Sequence, residues 1–92
     1  MFELYQLEQL LAVAECRTLS SAAEQLHISQ PALSRSMQRL EAELQVTLFT
    51  RQKNKIELNE SGRMAVEYAR KVIEQSRDMI SRIQAFDRSR RT

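Results

Sequence analysis

Gln30, Ser34 and Arg35 lie within six residues of one another, and Gln38 and Arg39 follow on the same side of the same segment. A glutamine amide can pair with N6 and N7 of adenine, and an arginine fork with O6 and N7 of guanine. A serine hydroxyl is small enough to let a helix approach a base closely. Gln30 can equally reach a phosphate. Between Glu24 and Glu41 the chain carries no carboxylate. An acid-free surface suits a polyanion, because each carboxylate would repel a phosphate at short range; a chance gap in a solvated face accounts for it as well. Downstream, Arg51, Lys53 and Lys55 bring three cations into five residues, and each phosphate they neutralised would add sequence-independent affinity.

Other chemistries lack their parts. One cysteine, Cys16, and one histidine, His27, supply neither a disulfide framework nor a zinc site. A single glycine leaves nothing from which to build a phosphate loop or a dinucleotide fingerprint. Glu41 and Glu43, two residues apart on a helix, point to different sides and form no catalytic dyad. No enzyme, cofactor or metal is expected. Cys16 reads as a small, partly buried hydrophobe, and His27 as a turn residue at positive φ. The longest apolar run, Leu10–Ala14, is five residues, against the roughly 20 that a bilayer span requires. The first fifteen residues hold Glu3, Glu8 and Glu15 and no Lys or Arg, so neither a secretory signal nor a membrane association is expected. The expected location is the cytoplasm.

The elements that must position these residues are legible in the apolar spacing. The 92 residues, 42% hydrophobic and 28% charged, suit one small ordered domain with an appended element. Leu4, Leu7, Leu10, Leu11 and Ala14 predict a helix over 4–16. Leu19, Ala22, Ala23 and Leu26 predict a short second helix with Ser20 or Ser21 as N-cap, and Ser21 with Glu24 fits a capping box. His27-Ile28-Ser29 leaves room only for a tight turn, and Pro31 suits the first turn of a third helix. Leu33, Met37, Leu40 and Leu44 mark its buried face. Pro31, Ala32, Ser34, Arg35, Gln38 and Arg39 fall opposite.

Ile56 and Leu58 alternate with charged neighbours, which predicts a short β-hairpin turning at Lys53-Asn54 with a basic tip. Asn59 is a good N-cap for a last helix from Glu60 to Phe86, about 40 Å long. Ala65, Ala69, Val72, Ser76, Met79, Ile83 and Phe86 step alternately by four and three, a heptad seam that Val66, Ile73 and Ile80 widen. Glu67–Lys71 and Asp78–Arg82 flank it as i, i+4 pairs. So long a stripe cannot lie wholly against fewer than sixty residues and calls for a partner chain. Gly62, in the first turn, calls for close packing against the hairpin.

The net charge of +2 is unevenly placed: −3 over residues 1–34, +3 over 35–55, and a further +3 from Arg88, Arg90 and Arg91. Together these features describe a mainly α protein: a winged helix-turn-helix of three helices plus a short β-hairpin wing, followed by a long dimerising helix. Residues 1–58 would form the DNA-binding domain and 59–92 the dimerising helix and its end. In such a unit the third helix lays its N-terminal residues in the major groove. A coiled-coil module whose helical head binds protein is the alternative. It accounts for the seam but not for the acid-free third helix or the basic wing.

The chain also resembles the N-terminal domain of LysR-type transcriptional regulators. Leu7 to Glu15, Leu19 to Leu26 and above all Ile28-Ser29-Gln30-Pro31-Ala32-Leu33-Ser34-Arg35 carry the resemblance. Leu40-Glu41, Leu48-Phe49-Thr50-Arg51 and Leu58-Asn59-Glu60-Ser61-Gly62 complete it in register. It implies a bacterial regulator that binds double-stranded DNA as a homodimer through the linker helix, with higher oligomers open to the full-length protein. The resemblance also implies that residues 59–92 are this linker helix and the start of a hinge. By the same resemblance Gln30, Pro31, Ser34 and Arg35 face base edges, and Ser20, Ser21, Ser29 and the wing residues Arg51, Lys53, Asn54 and Lys55 face phosphates or the minor groove. Gln38 and Arg39, on the polar, basic face of the third helix, are expected at the backbone as well.

This chain departs from the family at Asn54, where arginine is common, at Leu11 and Leu19, where an aromatic is usual, and at Gln45, where glycine is usual. Gln45 is therefore expected in a left-handed conformation, at a cost of about 1 kcal/mol. Family members also carry a larger C-terminal domain that senses a small molecule. The chain is accordingly expected to be a DNA-binding fragment, a natural short form being the alternative, with an effector acting only through that further domain.

Overall fold

Each amphipathic segment folds as a helix bounded by a residue that can cap it. The computed structural model describes residues 1–52 and 55–91. The elements run α1 (Leu4–Cys16), α2 (Leu19–Leu26), α3 (Gln30–Leu44), β1 (Phe49–Gln52), β2 (Lys55–Leu58) and α4 (Glu60–Arg90). The Lys53-Asn54 turn lies outside the described residues. Helix α4 continues past Phe86 to Arg90. Arg88 and Arg90 in its last turn favour the negative end of the helix dipole, and Arg91 pairs with Asp87 at 3.0 Å.

The helix ends explain the turns. Thr18, rather than Ser20 or Ser21, caps α2, its hydroxyl accepting from the Ser21 N–H at 3.0 Å. Leu19 is already helical, which puts both serines inside the first turn. Ser29 caps α3 by accepting from the Ala32 N–H at 3.2 Å, with Pro31 in the first turn where no backbone donor is missed. Asn59 caps α4 by accepting from the Gly62 N–H at 2.8 Å. Helices α1, α2 and α3 all end on a non-glycine residue in the left-handed region: Arg17 at φ 64°, His27 at 58° and Gln45 at 59°. His27 and Gln45 adopt the conformation expected of them. Arg17 adds a third case, its N–H donating to the Val13 carbonyl at 3.0 Å.

Leu10, Val13, Leu33, Met37, Leu40 and Leu48 are fully buried and form the centre of the core. Leu44, expected on the buried face, is 36% exposed, because the last turn of α3 runs past that centre. One polar link crosses between α1 and α3. The Gln6 amide donates to the Ser36 carbonyl at 3.2 Å, and the Ser36 hydroxyl donates to the Gln9 side-chain oxygen. Among the described residues no buried side-chain polar atom lacks a partner.

The two strands pair antiparallel with Phe49 opposite Leu58 and Arg51 opposite Ile56. The hairpin is tied down on both sides. The Ile56 N–H donates to the Arg17 carbonyl at 3.0 Å, and the Leu48 N–H donates to the Glu41 carboxylate at 2.7 Å.

Helix α4 presents two apolar faces. Gly62, Val66, Ala69 and Ile73 are buried, and this face packs on α1. Ala69 and Ile73, expected in the intermolecular seam, therefore belong to the chain's own core. Met64, Tyr68, Val72, Met79, Ile83 and Phe86 are exposed, on a stripe centred roughly 100° further round the helix. Ile80 is exposed as well, and Ala65 and Ser76 are half-buried at the border. Both faces advance by threes and fours, so the spacing alone merges them. The flanking pairs Glu67–Lys71 and Asp78–Arg82 form at 3.8 and 2.8 Å.

Gly62 sits where no side chain fits. A Cβ there would stand far inside contact distance of the Leu48 carbonyl oxygen and 2.9 Å from Leu58 Cδ2. Gly62→Ala is expected to lower stability by about 1–3 kcal/mol. Gln45→Gly is expected to raise it by about 1 kcal/mol, since glycine carries no Cβ penalty at φ 59°. Urea unfolding midpoints compare all three proteins. A Gly62→Ala midpoint equal to wild type would remove the close approach, and an unchanged Gln45→Gly midpoint would remove the strain.

Candidate nucleic-acid interface

The first turns of α2 and α3 open onto a shared cleft of about 850 Å³, closed on its third side by the hairpin. This arrangement follows from the short turn at His27. The Ile28 N–H donates to the Ala23 carbonyl at 3.0 Å while His27 reverses the chain, and α3 starts two residues later. First-turn backbone N–H groups have no partner within their own helix, and the helix dipole adds positive potential at the same place. Two such ends beside one opening favour an anion.

The side chains agree in sign. Ser20, Ser21, Gln30, Ser34, Arg51 and Lys55 line the cleft, Pro31 lies among them, and no carboxylate does. Arg35, Gln38 and Arg39 are exposed on the adjoining face of α3. Ser29 stands at the rim as the α3 cap, so its hydroxyl oxygen is already committed to Ala32. The structure thus gathers Gln30, Pro31 and Ser34 of the four residues expected at base edges, together with both serines and the two described wing cations, and leaves Arg35 exposed on the adjoining face. Lys53 and Asn54, also expected on the wing, lie outside the described residues.

Two features at this site escape the sequence reading. Thr18 both caps α2 and lines the cleft; its place immediately before the first apolar residue of α2 was the available signal. Arg51, expected at a phosphate or the minor groove, also donates from Nη1 to the Ser34 hydroxyl oxygen at 3.1 Å. No local pattern joins residues seventeen apart.

Among the described residues no group of His, Cys, Asp or Glu side chains could hold a metal ion, and no helix is long and apolar enough to cross a membrane. Cys16 is half-buried, its thiol donating to the Gln25 side-chain oxygen at 3.3 Å.

Residues 4–63 match the bacterial regulatory helix-turn-helix proteins of the lysR family. The chain belongs to this family. It is 44% identical over 72 residues to the HTH-type transcriptional regulator TcbR of Pseudomonas sp. (strain P51), covering 78% of this chain and 24% of that protein. It is 40% identical over 88 residues to the HTH-type transcriptional regulator ClcR of Pseudomonas putida, covering 96% of this chain and 29% of that one. The chain therefore spans about a quarter of the length of each of these two curated relatives. Among solved structures, the CbnR_DBD–DNA complex superposes with a TM-score of 0.89 at 40% identity, covering 91% of this chain and 97% of that one. The BenM_DBD/benA site 1 DNA complex gives 0.87 at 33% identity, over 92% and 99%. The helices, hairpin and long helix described above are the LysR fold of these structures.

Proposed function

We propose that this chain binds double-stranded DNA sequence-specifically, as the N-terminal part of a bacterial LysR-type transcriptional regulator that works without a catalytic step in the cytoplasm. The observation that carries the reading is the exposed, carboxylate-free N-terminal half of α3, set beside two helix N-termini and a basic hairpin. Helix α3 lies in the major groove, where Arg35 forks onto guanine and Gln30 onto adenine, with Pro31 and Ser34 at the same edge. Ser20, Ser21, Ser29, Gln38, Arg39 and Lys55 meet phosphates, and Lys53 and Asn54 carry the wing onto the adjacent backbone or minor groove. Small-molecule sensing belongs to the C-terminal domain of the full-length regulator.

The exposed stripe on α4 provides the dimer contact and thereby separates residues 59–92 functionally from residues 1–58. It runs from Met64 to Phe86, about 33 Å of helix, and reads nearly alike in both directions. Val72 matches Met79, Tyr68 matches Ile83, and Met64 matches Phe86 about a midpoint near Gln75. Two copies laid antiparallel would bury apolar on apolar along its whole length. Twofold symmetry then calls for paired half-sites on the DNA.

Anisotropy with a labelled duplex at two salt concentrations, with light scattering on the same sample, tests the reading. A dimer whose affinity falls steeply with salt supports it. A dimer with no DNA affinity at low salt overturns it in favour of a protein-binding coiled-coil module. Arg35→Ala is expected to cost about 1–3 kcal/mol on a selected site and to relax preference at one base pair. An equal loss on random DNA would assign Arg35 to a phosphate. Ile83→Asp is expected to yield a monomer by light scattering, and a persistent dimer would move the interface off this stripe.

A further inference from the structure

Arg51 has two features that a simple phosphate contact does not require. Its guanidinium Nη1 donates to the Ser34 hydroxyl oxygen at 3.1 Å, and the hairpin register forces it to that position. Residues opposite each other in an antiparallel pair project to the same face, as do residues two apart on one strand. Arg51 is opposite Ile56 and two residues from Phe49. Ile56 and Phe49 are buried at 4% and 5% exposure, so this face of the hairpin is the one turned onto the helices. Strand β2 cannot slide, because the Ile56 N–H is bonded to the Arg17 carbonyl. Arg51 is thereby delivered to α3 while its opposite number fills the core. Among the described residues it has no carboxylate within ion-pair distance, so its charge stays unneutralised.

A serine hydroxyl has one hydrogen to give and two lone pairs to receive with. When a guanidinium donates into one lone pair, the oxygen becomes a poorer acceptor and its O–H a better donor. Ser34 is half-buried and lines the cleft beside Gln30 and Pro31. No hydrogen bond from its hydroxyl to the preceding turn competes for the hydrogen.

We propose that Arg51 is a positioning residue for base readout: its hydrogen bond to Ser34 biases that hydroxyl towards donating. Ser34 then selects a major-groove acceptor, meaning guanine O6 or N7, adenine N7 or thymine O4, over the amino donors of cytosine and adenine. The inference rests on the DNA-binding reading above. It assigns Arg51 a role in specificity where its charge alone would suggest only affinity.

The test is a double-mutant cycle on the dimeric 92-residue protein. Site selection from a random duplex pool first gives the preferred sequence. The ratio of affinities for that sequence and for single base-pair swaps is then measured for wild type, Arg51→Lys, Ser34→Ala and the double variant. Arg51→Lys keeps the charge and loses the planar fork. Thermal melts establish that each variant is folded, and Ser34→Ala reads the same base pair if Arg51→Lys is destabilised. The expected result is a drop of about two- to tenfold in the ratio at one base pair, the same pair for both single variants. The double variant should lose no more than either single one. A ratio unchanged in Arg51→Lys, with affinity lowered equally on every sequence, would overturn the inference and leave Arg51 a phosphate contact. Independent losses at different base pairs would overturn it too. Failure of wild type to bind any duplex would overturn the DNA reading itself, and this inference with it.

Discussion

The turn between α2 and α3 is the constraint on which the presented surface depends. His27 takes a left-handed conformation, and the Ile28 N–H returns to the Ala23 carbonyl, so α2 is closed off within two residues. Ser29 then opens α3 at once. A longer connection would let α3 swing, and the two helix N-termini would no longer share a cleft. Alanines on the facing side of α2 permit the close crossing: Ala22 and Ala23 are buried at 0% and 4% exposure. A non-glycine residue at positive φ costs about 1 kcal/mol, and the described residues include three of them. That strain is small beside the burial of Leu10, Leu33, Met37 and Leu40, which the same turns make possible.

The hairpin depends on the helices more than on itself. A two-stranded ribbon in water is marginally stable at best. Here Glu41 receives the Leu48 N–H, Arg17 receives the Ile56 N–H, and Phe49 and Ile56 are buried. The carboxylate of Glu41 thus has a structural use on a helix whose other half avoids acids. It stands a full three turns from Gln30, where its charge does not oppose the cleft.

Much of this was legible in the sequence because it is written in short-range spacing. The helices, both strands, the Asn59 cap and the left-handed His27 each follow from residues a few positions apart. What the sequence concealed needed distance or rotation. Ala69 and Ile73 share the three–four rhythm of Val72 and Met79, yet they face α1 while the latter face outward. Spacing registers the period but not which neighbour occupies each side. Gln6 looks like a solvent residue by type and is buried, because Ser36, thirty positions on, offers its carbonyl. Gln30, Pro31, Ser34, Arg51 and Lys55, which line the cleft, could all be named from the local pattern of α3 and the wing. The Arg51–Ser34 bond could not, since only the hairpin register brings that strand beneath that helix.

The contact between Gly62 and Leu48 has a mechanical consequence. The first turn of α4 is pressed against the base of the hairpin with no slack for even one carbon atom. It is also riveted there by Asn59, whose amide donates to the Thr47 carbonyl at 2.8 Å. Helix and hairpin are therefore joined as a crank, with a shaft of 31 residues and a short arm lying at the cleft. Helix α4 is held on α1 as far as Ile73, so only residues 74–90 are free to swing, and a ten-degree bend there would carry the end through about 4 Å. Conversely, a force applied at that distant end would reach the hairpin only through the turns of α4 that Val66, Ala69 and Ile73 seat on α1.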